Sequence, residues 1–240
     1  MTPVKEYNLK LLEVIQETPD VRAFRFEYPK DNEFNFYPGQ FMMVSFINDL
    51  EIKYARAYSI ASSPGNKKYI EFALDKVAKF TEKMFSLKSG EVLKLKGPYG
   101  KFYFDENIKN DLLLVAGGTG ITPLIGIIRH SADKKLSNKI KFLYSVKEPE
   151  LIIYRKELES LKSKNRNFDY SVTITRPEES SEEWGGRTGR IDVDFLKENM
   201  ENAKETICFL CGPNEFVKSV IAMLESLGVS KEQIRTDVWG

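Results

Sequence analysis

Residues 111–123, Asp-Leu-Leu-Leu-Val-Ala-Gly-Gly-Thr-Gly-Ile-Thr-Pro, carry the strongest chemical signal in the chain. The apolar run Leu112–Ala116 reads as a strand buried on both faces, as in a parallel sheet. Gly117-Gly118-Thr119-Gly120 follows, and without side chains its backbone N–H groups come close to a ligand. Pro123 then stands where a helix begins, its φ already helical. Strand, glycine turn and helix N-terminus together form a cradle for a pyrophosphate. A second turn of ligand-loop character, Cys211-Gly212-Pro213, closes the apolar run Ile207–Leu210.

Other reactive residues are scarce. Cys208 and Cys211 have C-x-x-C spacing, but no second pair exists to complete a zinc or iron–sulfur site, and no metal is expected. Cys208 falls inside the strand and reads as a small buried hydrophobe. A lone His130 argues against histidine-based acid–base chemistry. The 36 basic and 35 acidic residues leave a formal charge of +1, which points away from nucleic acid and anionic membranes. The first residues lack the charged and apolar regions of a signal peptide, and no apolar stretch approaches the roughly 20 residues of a membrane helix. A cytoplasmic location is expected.

The elements that position these residues change character along the chain. Residues 8–16, 21–29, 41–46, 55–62, 68–75 and 92–96 read as short strands, and only Lys79–Leu87 reads as a helix among them. The pattern predicts a small antiparallel barrel. After Gly97-Pro98-Tyr99-Gly100, strands alternate with helices: Leu112–Ala116 with Thr122–His130, Ile140–Val146 with Leu151–Ser163, Phe168–Thr175 with Val193–Met200, and Ile207–Leu210 with Asn214–Leu227. Ile234–Trp239 adds a last strand. Such repetition predicts a doubly wound parallel sheet. The expected division is a barrel domain over residues 1–104 and a nucleotide-binding domain over 105–240, with the Glu-, Ser- and Gly-rich loop Pro177–Gly189 mobile. In a five-strand doubly wound order the first and fourth strands are neighbours, so the two glycine turns face one another across the ligand crevice.

Four motifs, in order, resemble those of the ferredoxin–NADP reductase superfamily over essentially the whole chain. Arg56-Ala57-Tyr58-Ser59 is similar to that family's R-x-Y-S/T flavin motif, and Gly97-Pro98-Tyr99-Gly100 to its G-P-F/Y-G. Ala116–Pro123 is similar to its A-G-G-T-G-I-T-P phosphate turn, and Cys211-Gly212-Pro213 to its C-G-P nicotinamide loop. The resemblance implies an FAD-binding antiparallel six-stranded barrel followed by an NAD(P)-binding domain. It implies an enzyme passing hydride between nicotinamide C4 and flavin N5. Arg56 would pair with the flavin pyrophosphate, for which its fork is well shaped, with Ala57 beside it. Tyr58 would lie against the isoalloxazine, and Ser59 would place a hydroxyl near N5. Phe72 and Leu74 would pass along the flavin. Val77, Lys79, Phe80 and the Thr81 hydroxyl would meet it at a helix N-terminus where Ala78 replaces the family's Gly.

On the coenzyme side the resemblance implies that Gly117, Gly118, Thr119, Gly120, Ile121, Thr122 and Pro123 hold the pyrophosphate. Cys211, Gly212 and Pro213 would flank the nicotinamide. Ser59, Cys211 and Trp239 would form the catalytic set; the tail Ile234–Gly240 is similar to a terminal E-x-F-G, with Asp237 for Glu and Trp239 for Phe. Thr175-Arg176 and Gly189-Arg190-Ile191 resemble segments that bind a 2′-phosphate, with Lys147 as a third cation. They lean the coenzyme toward NADPH, with NADH possible. By analogy a ferredoxin or flavodoxin is the expected acceptor. The alternatives are a reductase component serving an oxygenase, haem protein or free flavin, and a non-autonomous electron-transfer or regulatory subunit.

Overall fold

A computed structural model describes residues 3–31 and 33–239, the last by its backbone alone. Six strands come first, most of them alternating in burial but β5 buried throughout from Ile70 to Leu74: β1 (Lys5–Thr18), β2 (Val21–Glu27), β3 (Phe41–Phe46), β4 (Arg56–Ser59), β5 (Tyr69–Asp75) and, after helix α1 (Lys79–Ser86), β6 (Val92–Tyr99). Their order is β4-β3-β6-β1-β2-β5, all antiparallel. β1 is long enough to serve two partners, β6 along its first half and β2 along its second. Beyond β4, the Ala61 N–H donates to the Glu71 carbonyl of β5 at 2.8 Å, which brings the two edge strands together. The expected barrel is therefore present, nearly closed, around Phe24, Phe26, Phe72 and Met42.

Every strand that follows pairs in parallel. β7 (Leu112–Gly117) leads into α2 (Ile121–Asp133), β8 (Ile140–Val146) into α3 (Arg155–Lys164), and β9 (Phe168–Ile174) into the two-residue β10 (Arg187–Thr188) and α4 (Val193–Glu198). β11 (Ile207–Pro213), α5 (Asn214–Ser226) and β12 (Ile234–Trp239) complete the order β10-β9-β8-β7-β11-β12. β7 is buried at every residue because helices cover both faces of the sheet. Strand order reverses at β7, where β11 pairs on the side opposite β8, as the doubly wound reading requires.

Two details differ from the sequence reading. α3 begins at Arg155 rather than Leu151, because Pro149–Leu151 forms a short 3-10 turn and Tyr154 takes a left-handed conformation, φ 58°. The loop expected to be mobile is tied down. Ser180 donates to Glu150 at 2.7 Å, Arg155 pairs with Glu182 at 2.7 Å, and Trp184 Nε1 donates to the Arg187 carbonyl at 2.9 Å. Among the described residues no helix is long and apolar enough to cross a membrane.

Candidate active site

The carboxyl ends of β7 and β11 face β4 and β5 across a cleft of about 630 Å³. Tyr58, Ser59, Leu74 and Asp75 form the barrel wall, and Thr119, Thr122, Cys211 and Asp237 form the other. Tyr58 is half-buried with its ring centroid 5.9 Å from that of Phe80. Burial pushes its phenol well above the ordinary tyrosine range, so it stays a neutral ring with a hydroxyl tip, suited to a flat heteroaromatic ligand. Arg56, exposed at the rim, lies over the Tyr54 ring at 5.1 Å with its guanidinium beside the cleft. Ala57, Val77, Phe80 and Thr81 also line this space.

Three expectations on the barrel side need correction. Phe72 does not reach the cleft. On β5, Phe72 packs in the barrel core against Phe26, whereas Ala73, Leu74 and Asp75 line the cleft. Lys79 points away and pairs with Glu51 at 3.0 Å. The Thr81 hydroxyl caps α1: it donates to the Ala78 carbonyl at 3.0 Å and accepts from the Val77 and Ala78 N–H groups at 2.9 and 3.1 Å. The first-turn N–H groups of α1 are what remains for an anion there. Ala78 has φ −160°, an extended conformation that needs no glycine.

A second crevice, about 360 Å³, opens beside Gly117, Gly118 and Thr119 and continues past Lys147, Thr175, Pro213 and Phe216. Gly118 has φ 55°, and a Cβ there would meet nothing within 4 Å, so the turn fronts open space as a phosphate cradle must. A Cβ on Gly212 would stand 2.8 Å from the Phe216 ring and 3.2 Å from the Gly117 nitrogen. The glycines thus let the two turns meet, with Phe216 as a wall that the sequence reading missed. Its signal was an aromatic one helical turn beyond the C-G-P loop.

Gly120 and Ile121 are buried, Ile121 in the core beneath α2, and they shape the turn without lining the crevice. Pro123 and Thr122 line the larger cleft. Neither Arg176 nor Arg190 lines the crevice. The turn after β9 folds Glu179 back to within 3.2 Å of Arg176, and Arg190 lies exposed beyond β10.

Asp75 and Thr119 line both spaces, and in the larger one Cys211 and Asp237 are paired in register on β11 and β12, the thiol donating to the carboxylate at 3.9 Å. Ser59 lines the same cleft from the opposite wall. Burial raises the Asp237 carboxyl above its ordinary range. Burial and then the Asp237 charge push the Cys211 thiol far up, so it is a neutral packing group rather than a nucleophile. Cys208, inside the strand, is pushed up to about 12 by burial. The Trp239 side chain lies outside the described residues. A hollow of about 650 Å³ at the amino ends of the parallel strands is away from the ligand edge of such sheets.

A model of the oxidoreductase FAD-binding domain matches residues 8–104, and one of the oxidoreductase NAD-binding domain matches 114–221. The chain is 30% identical to the NADH-cytochrome b5 reductase 2 of Candida glabrata, covering 96% of this chain and 83% of that protein. It is also 30% identical to the glycine betaine monooxygenase reductase subunit of Chromohalobacter salexigens, over 98% of this chain; it spans 64% of that subunit's length. A ferredoxin NADP+ reductase from Neisseria gonorrhoeae with bound FAD and NADP shares the fold at a TM-score of 0.82, with 22% identity and 98% of each chain covered.

Proposed function

Given that this chain belongs to the ferredoxin–NADP reductase superfamily of FAD- and NAD(P)-binding oxidoreductases, we propose that it draws electrons from a reduced nicotinamide coenzyme and hands them to a separate redox protein. The observation that carries this reading is the convergence of Ser59, Cys211 and Asp237 in the flavin-side cleft, which shares Asp75 and Thr119 with the coenzyme crevice. Bound FAD supplies the chemistry, accepting hydride and releasing electrons to an acceptor.

The residues present fit both ligands. The neutral Tyr58 ring and apolar Leu74 suit the flavin, Arg56 its pyrophosphate, and open Gly118 the coenzyme phosphates. The protein's task is then to stack, orient and exclude water, and it needs no histidine. Cys211 offers a small neutral surface against the nicotinamide. Asp237 holds the Cys211 thiol, and Ser59 stands in the same cleft.

A ferredoxin or flavodoxin remains the proposed acceptor; the relatives named for an oxygenase system and for cytochrome b5 support a protein acceptor in general. For the coenzyme, Arg176 and Lys147 favour NADPH only after Arg176 leaves Glu179, and a pair this exposed opens at little cost. We therefore infer that both coenzymes enter, with modest discrimination. A subunit reading is favoured by the relative that is itself named a subunit. FAD-loaded protein mixed with NAD(P)H and ferricyanide separates the two: turnover alone supports an autonomous reductase. Flavin retention without turnover supports the subunit.

A further inference from the structure

The face of α2 that carries Thr122, Gly126 and Arg129 repeats at helical spacing and lies along the seam where the barrel closes. The Thr122 hydroxyl donates to the Ala73 carbonyl at 3.4 Å and to the Thr119 carbonyl at 2.8 Å. A Cβ on Gly126 would stand 2.9 Å from the Ile60 carbonyl oxygen, so only glycine permits this approach. Two turns from the start of the helix, Arg129 Nη1 donates to the Ala61 carbonyl at 2.8 Å and to the fully buried Glu71 at 2.7 Å. Its other edge holds Glu157 of α3 in a two-bond fork, both at 2.7 Å.

Glu71 is saturated by groups from both halves of the molecule. Arg25 Nε reaches it at 2.7 Å, and the Tyr154 hydroxyl at 2.9 Å. Tyr154 is held at φ 58°, a strained conformation for a bulky residue, with its N–H donating to Glu17 of β1 at 3.1 Å. A buried ion pair is a weak source of stability but a strong constraint on geometry, because its partners satisfy one another in only one arrangement. The strands it grips, β4 with its extension and β5, are those whose next residues face the flavin cleft. The helix it grips begins at the phosphate turn.

We propose that Arg129, through Glu71 and Tyr154, is the positioning residue that sets the phosphate turn at its working distance from the flavin wall. The proposal rests on the flavin–nicotinamide reading above. Arg129 touches neither cleft; it acts by fixing α2 against the barrel seam, and small misplacement at a reacting centre is costly in rate.

The test uses Arg129→Lys, which keeps the buried charge but cannot reach Ala61, Glu71 and Glu157 together. In flavin-free protein, amide exchange at residues 60–62 and 126–130 is expected to quicken severalfold over wild type. In FAD-loaded protein, the limiting rate of flavin bleaching by coenzyme is expected to fall at least tenfold, with FAD and coenzyme dissociation constants changed less than threefold. Faster exchange with an unchanged limiting rate would reduce Arg129 to a structural role and overturn the proposal. If Arg129→Lys does not fold, Tyr154→Phe removes one hydrogen bond from the same cluster. A two- to fivefold slower limiting rate is expected there, and none would overturn the proposal. If wild type is bleached by neither coenzyme, the functional reading has failed; unchanged exchange in either variant would then overturn the clamp independently.

Discussion

The thiol of Cys211 and the carboxylate of Asp237 lie 3.9 Å apart on neighbouring parallel strands, in register, in the wall of the larger cleft. The contact holds a small neutral group where a nicotinamide ring would meet the flavin. Cys211→Ala is expected to slow coenzyme-driven flavin reduction by about 10- to 100-fold, the penalty typical of a slightly misplaced reactant. Rapid mixing of the variant with coenzyme checks this, and a rate within twofold of wild type would remove Cys211 from the site.

Arg56 stands exposed at the cleft rim, where a charge-assisted bond to a pyrophosphate would be made. Arg56→Ala is expected to weaken FAD binding about 10- to 100-fold, in line with a lost hydrogen bond to a charged group. Fluorescence titration of apo protein with FAD measures it. A variant that purifies with full flavin would assign Arg56 elsewhere.

Arg176 and Glu179 form a pair that a 2′-phosphate reaching Arg176 would have to open. Glu179→Gln is expected to lower KM for NADPH severalfold and to leave KM for NADH alone. Arg176→Ala should raise KM for NADPH only. Equal shifts for both coenzymes in either variant would show that this corner does not read the 2′-position.

Two carboxylates at the barrel seam, the buried Glu71 and the half-buried Glu17, respond to pH with opposite sign. Burial would push Glu71 up, but the charges and hydrogen bonds of Arg129 and Arg25 outweigh it and hold the group below its ordinary range. Its contribution is full above the ordinary carboxylate pKa and fades as pH falls through the lower folded value. Glu17 is raised by burial, so its stability contribution is full at acid pH and is lost as pH climbs through the raised value. Glu71→Gln should therefore destabilise at pH 7 by roughly 3–5 kcal/mol, the usual cost of stranding a buried partner, with a smaller difference in acid. Glu17→Gln should raise Tm at pH 7 and lose that advantage below the ordinary carboxylate pKa. Thermal denaturation from pH 8 down to about pH 2.5 checks both, and matching signs at pH 7 would refute the assignment.

The glycine turns were legible because the requirement they meet is a backbone one, expressed directly in residue type at Gly118 and Gly212. The barrel was legible because alternation encodes a half-buried strand. Which residues of β5 reach the cleft was not, since alternation does not say how far along the strand a face is open: Phe72 packs on Phe26 in the core while Leu74, two residues on, lines the cleft. The local contacts of Thr81 and Arg176 were not legible for another reason. Both have local partners, Ala78 and Glu179, whose claim depends on the turn actually formed. The Glu71–Arg129 pair joins residues 58 positions apart. A charge amid the apolar run Tyr69–Leu74 hinted that a partner existed, but only the docking of α2 on the seam identifies it.

Anaerobic rapid mixing of the FAD-loaded protein with NADPH and, separately, with NADH tests the central claim most directly. The expected result is loss of the oxidised flavin spectrum with both coenzymes, at limiting rates within about tenfold of each other. A flavin spectrum that neither coenzyme bleaches would contradict transfer from nicotinamide to flavin in this chain.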